Sequence, residues 1–272
     1  MVTAIVIVLA VLLLLAGLYL LALKGRKGHP GWEKLKGWNY AHRGLHDEIR
    51  PENSMAAFRA ALEHGYGIEL DVHLLADGNL AVIHDHALKR TTGAPGNIED
   101  LTTQQLKDYY LEGTFQTIPT FQEVLELFDG KAPMIVELKA TGSNHAQLVD
   151  TAMQMLSGYT GAYCVESFDP RCVRLLKKRY PQVIRGQLTE NFLKSGNKLP
   201  WILKFCLTKQ LFNFLIQPDF VAYRFADRKN LGNTLVRKLW GVQGVSWTLR
   251  NLLEHKAAKE ENWIPIFENY EP

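Results

Sequence analysis

The sequence predicts an α/β chain: a (β/α)8 barrel preceded by one transmembrane helix. Three observations predict it. After residue 38, strand-like and helix-like segments alternate about eight times over roughly 230 residues, the pattern of a parallel sheet closed on itself. No G-x-G-x-x-G follows the first strand-like run, so the main signature of an open doubly wound sheet is missing. The segment Val2–Leu23 contains no charged residue.

Composition is ordinary for a globular protein of this size. The chain has 272 residues, 47% hydrophobic and 22% charged, with a net charge of +3. That charge is too small, and too little interleaved with aromatic residues, to argue for nucleic acid. Cys164, Cys172 and Cys206 are odd in number and fit neither a zinc site nor a disulfide framework, so they read as buried thiols in a reducing compartment.

The uncharged run spans roughly 33 Å as a helix, against a hydrocarbon thickness of about 30 Å. A cleavable signal peptide would have a basic start, a shorter apolar centre and small residues at its end. Here no Lys or Arg precedes the run, and it closes Leu-Ala-Leu-Lys. Residues 1–23 therefore read as an uncleaved anchor in the cell membrane. Lys24, Arg26 and Lys27 follow it at once, which places the remainder on the cytoplasmic side. Residues 24–38 are basic and contain glycine and Pro30. They read as a juxtamembrane linker lying on anionic headgroups.

Residues 39–272 form the barrel domain. Asn39–His42 is the first strand, and Asn53 is expected to cap a helix from Ser54 to about His64. Gly67–His73 is the second strand. An excursion from Asp85 to Pro119 carries a short helix near Thr102–Tyr110. Phe121–Phe128 is helical with Thr120 as cap, and residues 133–139 are a strand. Helix Ala146–Leu156 and strand Ala162–Ser167 follow. Asp169-Pro170 opens a helix to Arg179, because proline suits the first helical turn. Strand Val183–Leu188, an apolar helical region Leu199–Ile216 and strand Asp219–Tyr223 come next. Helix Leu231–Trp240, strand Gly244–Thr248, helix Leu252–Lys259 and strand Trp263–Phe267 complete the alternation. The eighth helix is expected to be short or missing.

Strand ends carry the chemistry in such a barrel. His42 and Arg43 end the first strand. Glu69 and Asp71 are two apart on the second and share a face, as do Glu137 and Lys139 on the third. His84 lies on the excursion, which can fold back over the mouth. Glu-x-Asp by itself is common on solvated strands; the convergence of several residue types is what argues for a site. Three carboxylates without cysteine suit one hard divalent cation, Mg²⁺ or Ca²⁺. The cation, Arg43 and Lys139 would neutralise a phosphate, while two histidines could take one proton and give another. Phosphodiester cleavage needs both proton transfers.

The motifs His42-Arg43-Gly44, Pro51-Glu52-Asn53-Ser54, Glu69-Leu70-Asp71-Val72, Asp77-Gly78, His84-Asp85, Ile118-Pro119-Thr120 with Glu123-Val124-Leu125, and Glu137-Leu138-Lys139 occur in order. Together they resemble the glycerophosphodiester phosphodiesterase family over nearly everything after residue 38. The resemblance implies a TIM barrel with Glu69, Asp71 and Glu137 as metal ligands and His42 and His84 as the acid–base pair. It implies that Arg43 and Lys139 hold the phosphate. It further implies hydrolysis of glycerophosphodiesters to glycerol 3-phosphate and an alcohol, in which the glycerol 2-hydroxyl can attack first to give a cyclic phosphate. Two alternatives stand beside it. One is a lysophospholipase D-like or cyclising enzyme acting on lysophospholipids. The other is a silent membrane-bound barrel that binds phosphoesters, against which the two histidines argue.

Three departures from the family pattern are visible. Ser54 stands where threonine is usual. Trp-Thr-Val-Asn reads Trp247-Thr248-Leu249-Arg250 here, which puts a cation at the mouth. The acidic stretch after the last strand reads Glu268-Asn269-Tyr270. Trp247 reads equally as a packed core aromatic and, by the resemblance, as a wall of the glycerol pocket. Glu52 is expected to be structural, and His46, His73 and His86 to lie at the surface or behind the site. Leu199–Ile216 reads as a core-facing barrel helix or as a second contact with the bilayer.

Overall fold

The computed structural model describes residues 1–196 and 198–272. Eight parallel strands close into a barrel: β1 Tyr40–His42, β2 Gly67–Leu74, β4 Met134–Leu138, β5 Tyr163–Ser167, β6 Arg185–Thr189, β7 Phe220–Arg224, β8 Gln243–Leu249 and β9 Trp263–Phe267. Strand β1 closes the ring, pairing with β2 through Tyr40↔Gly67 and with β9 through Tyr40↔Ile266. The ninth strand, β3 (Leu80–Val82), was not expected. It turns back antiparallel on β2 through Val72↔Val82, after the Asp77-Gly78 turn.

Ten helices accompany the strands among the described residues: α1 Val2–Ala22, α2 Met55–Glu63, α3 Lys89–Thr92, α4 Phe121–Phe128, α5 His145–Leu156, α6 Pro170–Arg179, α7 Trp201–Thr208, α8 Asn213–Ile216, α9 Leu231–Trp240 and α10 Leu252–Glu260. Among these residues no helix follows β9. Helix α4 begins with a reciprocal capping box between Thr120 and Glu123, and α6 begins on Asp169 with proline at its first turn.

The period-two reading of the strands holds. Ile68, Leu70 and Val72 face the helices and join the outer core with Phe58, Phe121 and Phe128. The alternate residues point into the barrel. Its lower interior is a separate apolar cluster of Tyr40, Ile135, Cys164, Ile184, Phe220 and Ile264. Gly186 makes room there, since a Cβ at that position would lie 2.2 Å from the Phe220 ring. Leu35 and Trp32 seal the floor, with Trp32 meeting Phe220 edge to face at 5.4 Å. Burial of a side chain such as Leu35 contributes about 1.5–3 kcal/mol.

Four expectations change at this level. Ser54, not Asn53, caps α2, accepting from the Ala57 amide; Asn53 has a φ of 56° that turns its side chain elsewhere. The short helix near Thr102–Tyr110 is a 3-10 segment, Thr103–Asp108. The single helical region Leu199–Ile216 is broken between α7 and α8, where Gln210 adopts a φ of 56°. Residues 24–38 are not a loose linker. Arg26 binds both oxygens of buried Asp219 and the carbonyls of Pro181 and Val183, and Trp32 and Leu35 lie in the core.

Candidate active site

Above the apolar floor, charged residues take over at the inward positions of β1, β2, β4 and β5 and just beyond β9, at Glu268. Register places Asp71 beside Glu137, and Glu137 beside Glu166, on three neighbouring strands. Glu69 lies one inward step below Asp71 on β2. Ligand atoms of Glu69, Asp71 and Glu137 all fall within 4.8 Å of one another, and all three residues are buried. Three crowded carboxylates out of water require compensating positive charge.

Part of that charge comes from the protein. Lys139 Nζ lies 3.0 Å from Asp71 and 2.8 Å from Glu137. Arg43 Nε is 3.4 Å from Asp71, and the Arg43 amide donates to Glu69 at 3.2 Å. Arg43 has a φ of 55°, in the left-handed region that side chains other than glycine rarely adopt. Asn53, in the same conformation, donates its amide to Asp71 at 2.9 Å. Two uncommon backbone conformations therefore serve the same pair of acids.

The compensation is uneven. Burial raises Asp71, but Lys139, His84 and Arg43 outweigh it and hold its carboxyl well below the usual range. Burial and the neighbouring acids push Glu69 well above that range, and burial with Asp71 lifts Glu137 to about 7 against Lys139. Glu166 is raised as well, by burial and by Glu137, and its Oε2 has no hydrogen-bond partner. Glu69 and Glu137 thus take up protons more readily than Asp71, and a cation would favour their carboxylate forms. An all-oxygen donor set with surplus carboxylate fits a hard divalent ion held by Glu69, Asp71 and Glu137.

The two histidines stand at the rim with matched partners. His42 Nδ1 lies 3.0 Å from Glu268, and its Nε2 lies 3.8 Å from Glu69. His84 Nδ1 lies 2.6 Å from Asp85. It shares a cavity of about 250 Å³ with Glu137, Lys139 and Phe168. A carboxylate only accepts, so each Nδ1 carries a proton and each Nε2 is left for chemistry. Burial lowers His42, while burial, Lys139 and Arg43 lower His84 to about 4.

Of the expected site residues, His42, Arg43, Glu69, Asp71, His84, Glu137 and Lys139 converge on the mouth. Trp247 is half-buried, donates Nε1 to the Ala222 carbonyl at 3.1 Å and packs edge to face on Phe168, which lines the cavity beside His84. Glu52 is structural as expected, tying Arg43 to Arg90. His73 lies behind the site, between Glu99 and the His84 carbonyl, and His86 binds the other Glu99 oxygen. His46 faces Glu268 at 3.5 Å.

Several residues escaped the sequence reading. In sequence Glu268 stands out only as a departure from the family pattern, yet it joins His42, His46 and Arg250. Asp85 and Arg90 form a second rim pair, with Arg90 also on Glu52. The inward parity of Glu166, set by Cys164 on the floor, was the one signal available for it.

Fold and site together are those of a (β/α)8-barrel enzyme. The chain belongs to the glycerophosphoryl diester phosphodiesterase family, whose match covers residues 42–270, and its relatives are phosphoric diester hydrolases. A glycerophosphodiester phosphodiesterase of Bacillus altitudinis is 43% identical over 161 residues, which are 55% of this chain and 65% of that enzyme. Glycerophosphodiester phosphodiesterase 1 of Rattus norvegicus is 34% identical over 254 residues, 79% of this chain and 72% of the rat protein. The fold is shared with a phosphodiesterase of Oleispira antarctica solved with its product sn-glycerol-3-phosphate. That similarity has a TM-score of 0.73 at 20% identity, covering 90% of this chain and 96% of the other.

Proposed function

We propose that this chain hydrolyses glycerophosphodiesters to glycerol 3-phosphate and an alcohol, with a divalent cation held by Glu69, Asp71 and Glu137. What supports the reading most is the placement of His42 and His84 at the rim of one acidic cluster, each with Nδ1 on a carboxylate. Once bound, the cation would supply Lewis-acid polarisation of the phosphoryl group. Arg43 and Lys139 add fixed positive charge for the phosphate oxygens. His42, neutral and with Nε2 free of its Glu268 partner, is suited to take a proton from the attacking hydroxyl. His84 is suited to protonate the leaving alkoxide. Burial, Lys139 and Arg43 lower its pKa, and an entering phosphodiester anion offsets the two positive charges and favours the imidazolium. Attack by the glycerol 2-hydroxyl would give a cyclic phosphate, which water opens with the two histidines in exchanged roles.

Lysophospholipids form a second substrate class. A lysophospholipase D of Rattus norvegicus is 33% identical over 132 residues, 44% of this chain and 40% of that protein. The same reading makes the chain a single-pass protein of the cell membrane with the barrel on the cytoplasmic side. In its support, α1 is long and apolar enough to cross a bilayer, and basic residues follow it.

The test is a substrate panel on the full chain: glycerophosphocholine, glycerophosphoethanolamine and lysophosphatidylcholine, with EDTA and then Mg²⁺ or Ca²⁺ restored. Release of glycerol 3-phosphate from the first two, lost with EDTA and regained with metal, is expected. Absence of any phosphodiester cleavage under all conditions refutes the reading.

A further inference from the structure

The last turn of α1 is built into one flank of the barrel. Leu23 is fully buried, and the Leu20 carbonyl accepts from Trp240 Nε1 on α9 at 3.0 Å. The Tyr19 hydroxyl reaches Gly232 at the other end of α9, beside the Lys209 carbonyl at the end of α7. With Arg26 fixed to Asp219, the helix leaves the barrel at one defined place, between α7–α8 and α9.

Two features of that flank bear on what it meets. It exposes large apolar side chains: Trp201 at 68% and Ile202 at 61% on α7, Phe214 on α8, and Leu231 and Leu239 on α9. It is also basic. Residues 191–253 contain ten Lys or Arg and two acids, Asp219 and Asp227, a balance of +8 that falls to +5 once the pairs of Arg224, Arg228 and Arg250 with Glu190, Glu261 and Glu268 outside the segment are set aside. Of the two acids, Asp219 is buried against Arg26.

We propose that the α7–α9 flank rests on an anionic lipid bilayer, the one that α1 enters. Exposed aromatic and aliphatic side chains sink into the headgroup boundary, and the lysines and arginines around them meet lipid phosphate. The bilayer is favoured over a protein partner because the anchoring helix already emerges from this surface. Leu193, Leu199 and Trp201 follow the mouth-side end of β6, so the same contact brings the β6–β7 rim of the mouth to the membrane. The proposal rests on reading α1 as a membrane span.

The experiment uses the full chain in nanodiscs of phosphatidylcholine alone, in nanodiscs containing phosphatidylglycerol, and in detergent. Amide hydrogen exchange is followed beside turnover of water-soluble glycerophosphocholine. Protection of peptides from residues 199–217 and 231–240 is expected in the anionic discs, at least several-fold over detergent and weaker in phosphatidylcholine. The double variant W201S/I202S should lose that protection while still cleaving glycerophosphocholine. Equal exchange of these peptides in anionic discs and in detergent overturns the proposal, as does failure of α1 to insert. Loss of glycerophosphocholine turnover in the unaltered chain instead counts against the catalytic reading and leaves the exchange result to judge the flank by itself.

Discussion

His42 and Glu268, 226 residues apart in the chain, meet across the β1–β9 seam with Nδ1 and Oε1 3.0 Å apart. Burial would raise the Glu268 carboxyl, but the hydrogen bond from His42, the nearby His46 imidazole and the charge of Arg250 hold it far below the usual range. It stays ionised at any working pH and fixes the His42 tautomer. Glu268→Gln keeps the shape and removes the charge. We expect kcat to fall on the order of 10- to 100-fold with little change in KM, and the pH–rate profile to shift its His42 limb. A profile identical to that of the unaltered enzyme would show that Glu268 only packs there.

Replacing either imidazole tests the acid–base assignment directly. His42→Ala and His84→Ala should each lower turnover by about 100-fold or more. Substrate binding, measured on the inactive variants by calorimetry, should change far less. Turnover within a few-fold of the parent for either variant removes that residue from the proton transfers.

Cation binding should release protons. Glu69 and Glu137 are raised in the metal-free protein, Glu137 to about 7, and a metal ligand must be deprotonated. Affinity is therefore expected to rise with pH from 6 to 8 and to weaken as acidification refills the two carboxyls. Calorimetry of Mg²⁺ or Ca²⁺ binding in buffers of different ionisation enthalpy reads the proton count. Zero release at pH 6.5 would mean that Glu69 and Glu137 are already ionised before the cation arrives, which overturns the expected proton linkage.

Glu99 gives an acid-side stability prediction. Burial raises its carboxyl, but hydrogen bonds from His73 and Thr141 win and bring it down to about 2. Its folded pKa is thus below the unfolded one. The stabilisation is complete above about pH 4.5 and disappears as pH falls toward 2. Glu99→Gln should flatten the loss of stability across that window in urea titrations. It should also loosen the His84 loop, whose carbonyl His73 holds.

Arg26→Ala would leave Asp219 buried with only the Arg185 amide as partner. Removing one member of such a pair costs about 3 kcal/mol. Chemical denaturation should show a drop of that size, with Arg26→Ala/Asp219→Asn recovering part of it.

Much of the site was legible because strands have a short period. Glu69 and Asp71, or Glu137 and Lys139, are two apart, so each pair had to share a face, and the barrel made that face the inside. Contacts that depend on ring closure left no local trace. Nothing near His42 in sequence announces Glu268, and nothing near Trp32 announces Phe220. Asn53 shows a further limit. The sequence points to Asn53 as the cap of a helix from Ser54. The tertiary demand of Asp71 for a donor assigned the cap to Ser54 and a positive φ to Asn53. The break after α7 is of the same kind: an apolar run signals helix, but not the bend at Gln210 that returns the chain to β7.

The Trp32–Leu35 seal governs how the barrel could be freed from its anchor. A cut just before Tyr40 looks natural from the strand pattern, yet it would uncork the barrel, wet the Phe220 ring and delete the Arg26 clasp. A cut between Leu23 and Arg26 keeps the stopper in place. Solubility of trimmed chains should therefore hinge on about fifteen residues that belong to neither the span nor any strand.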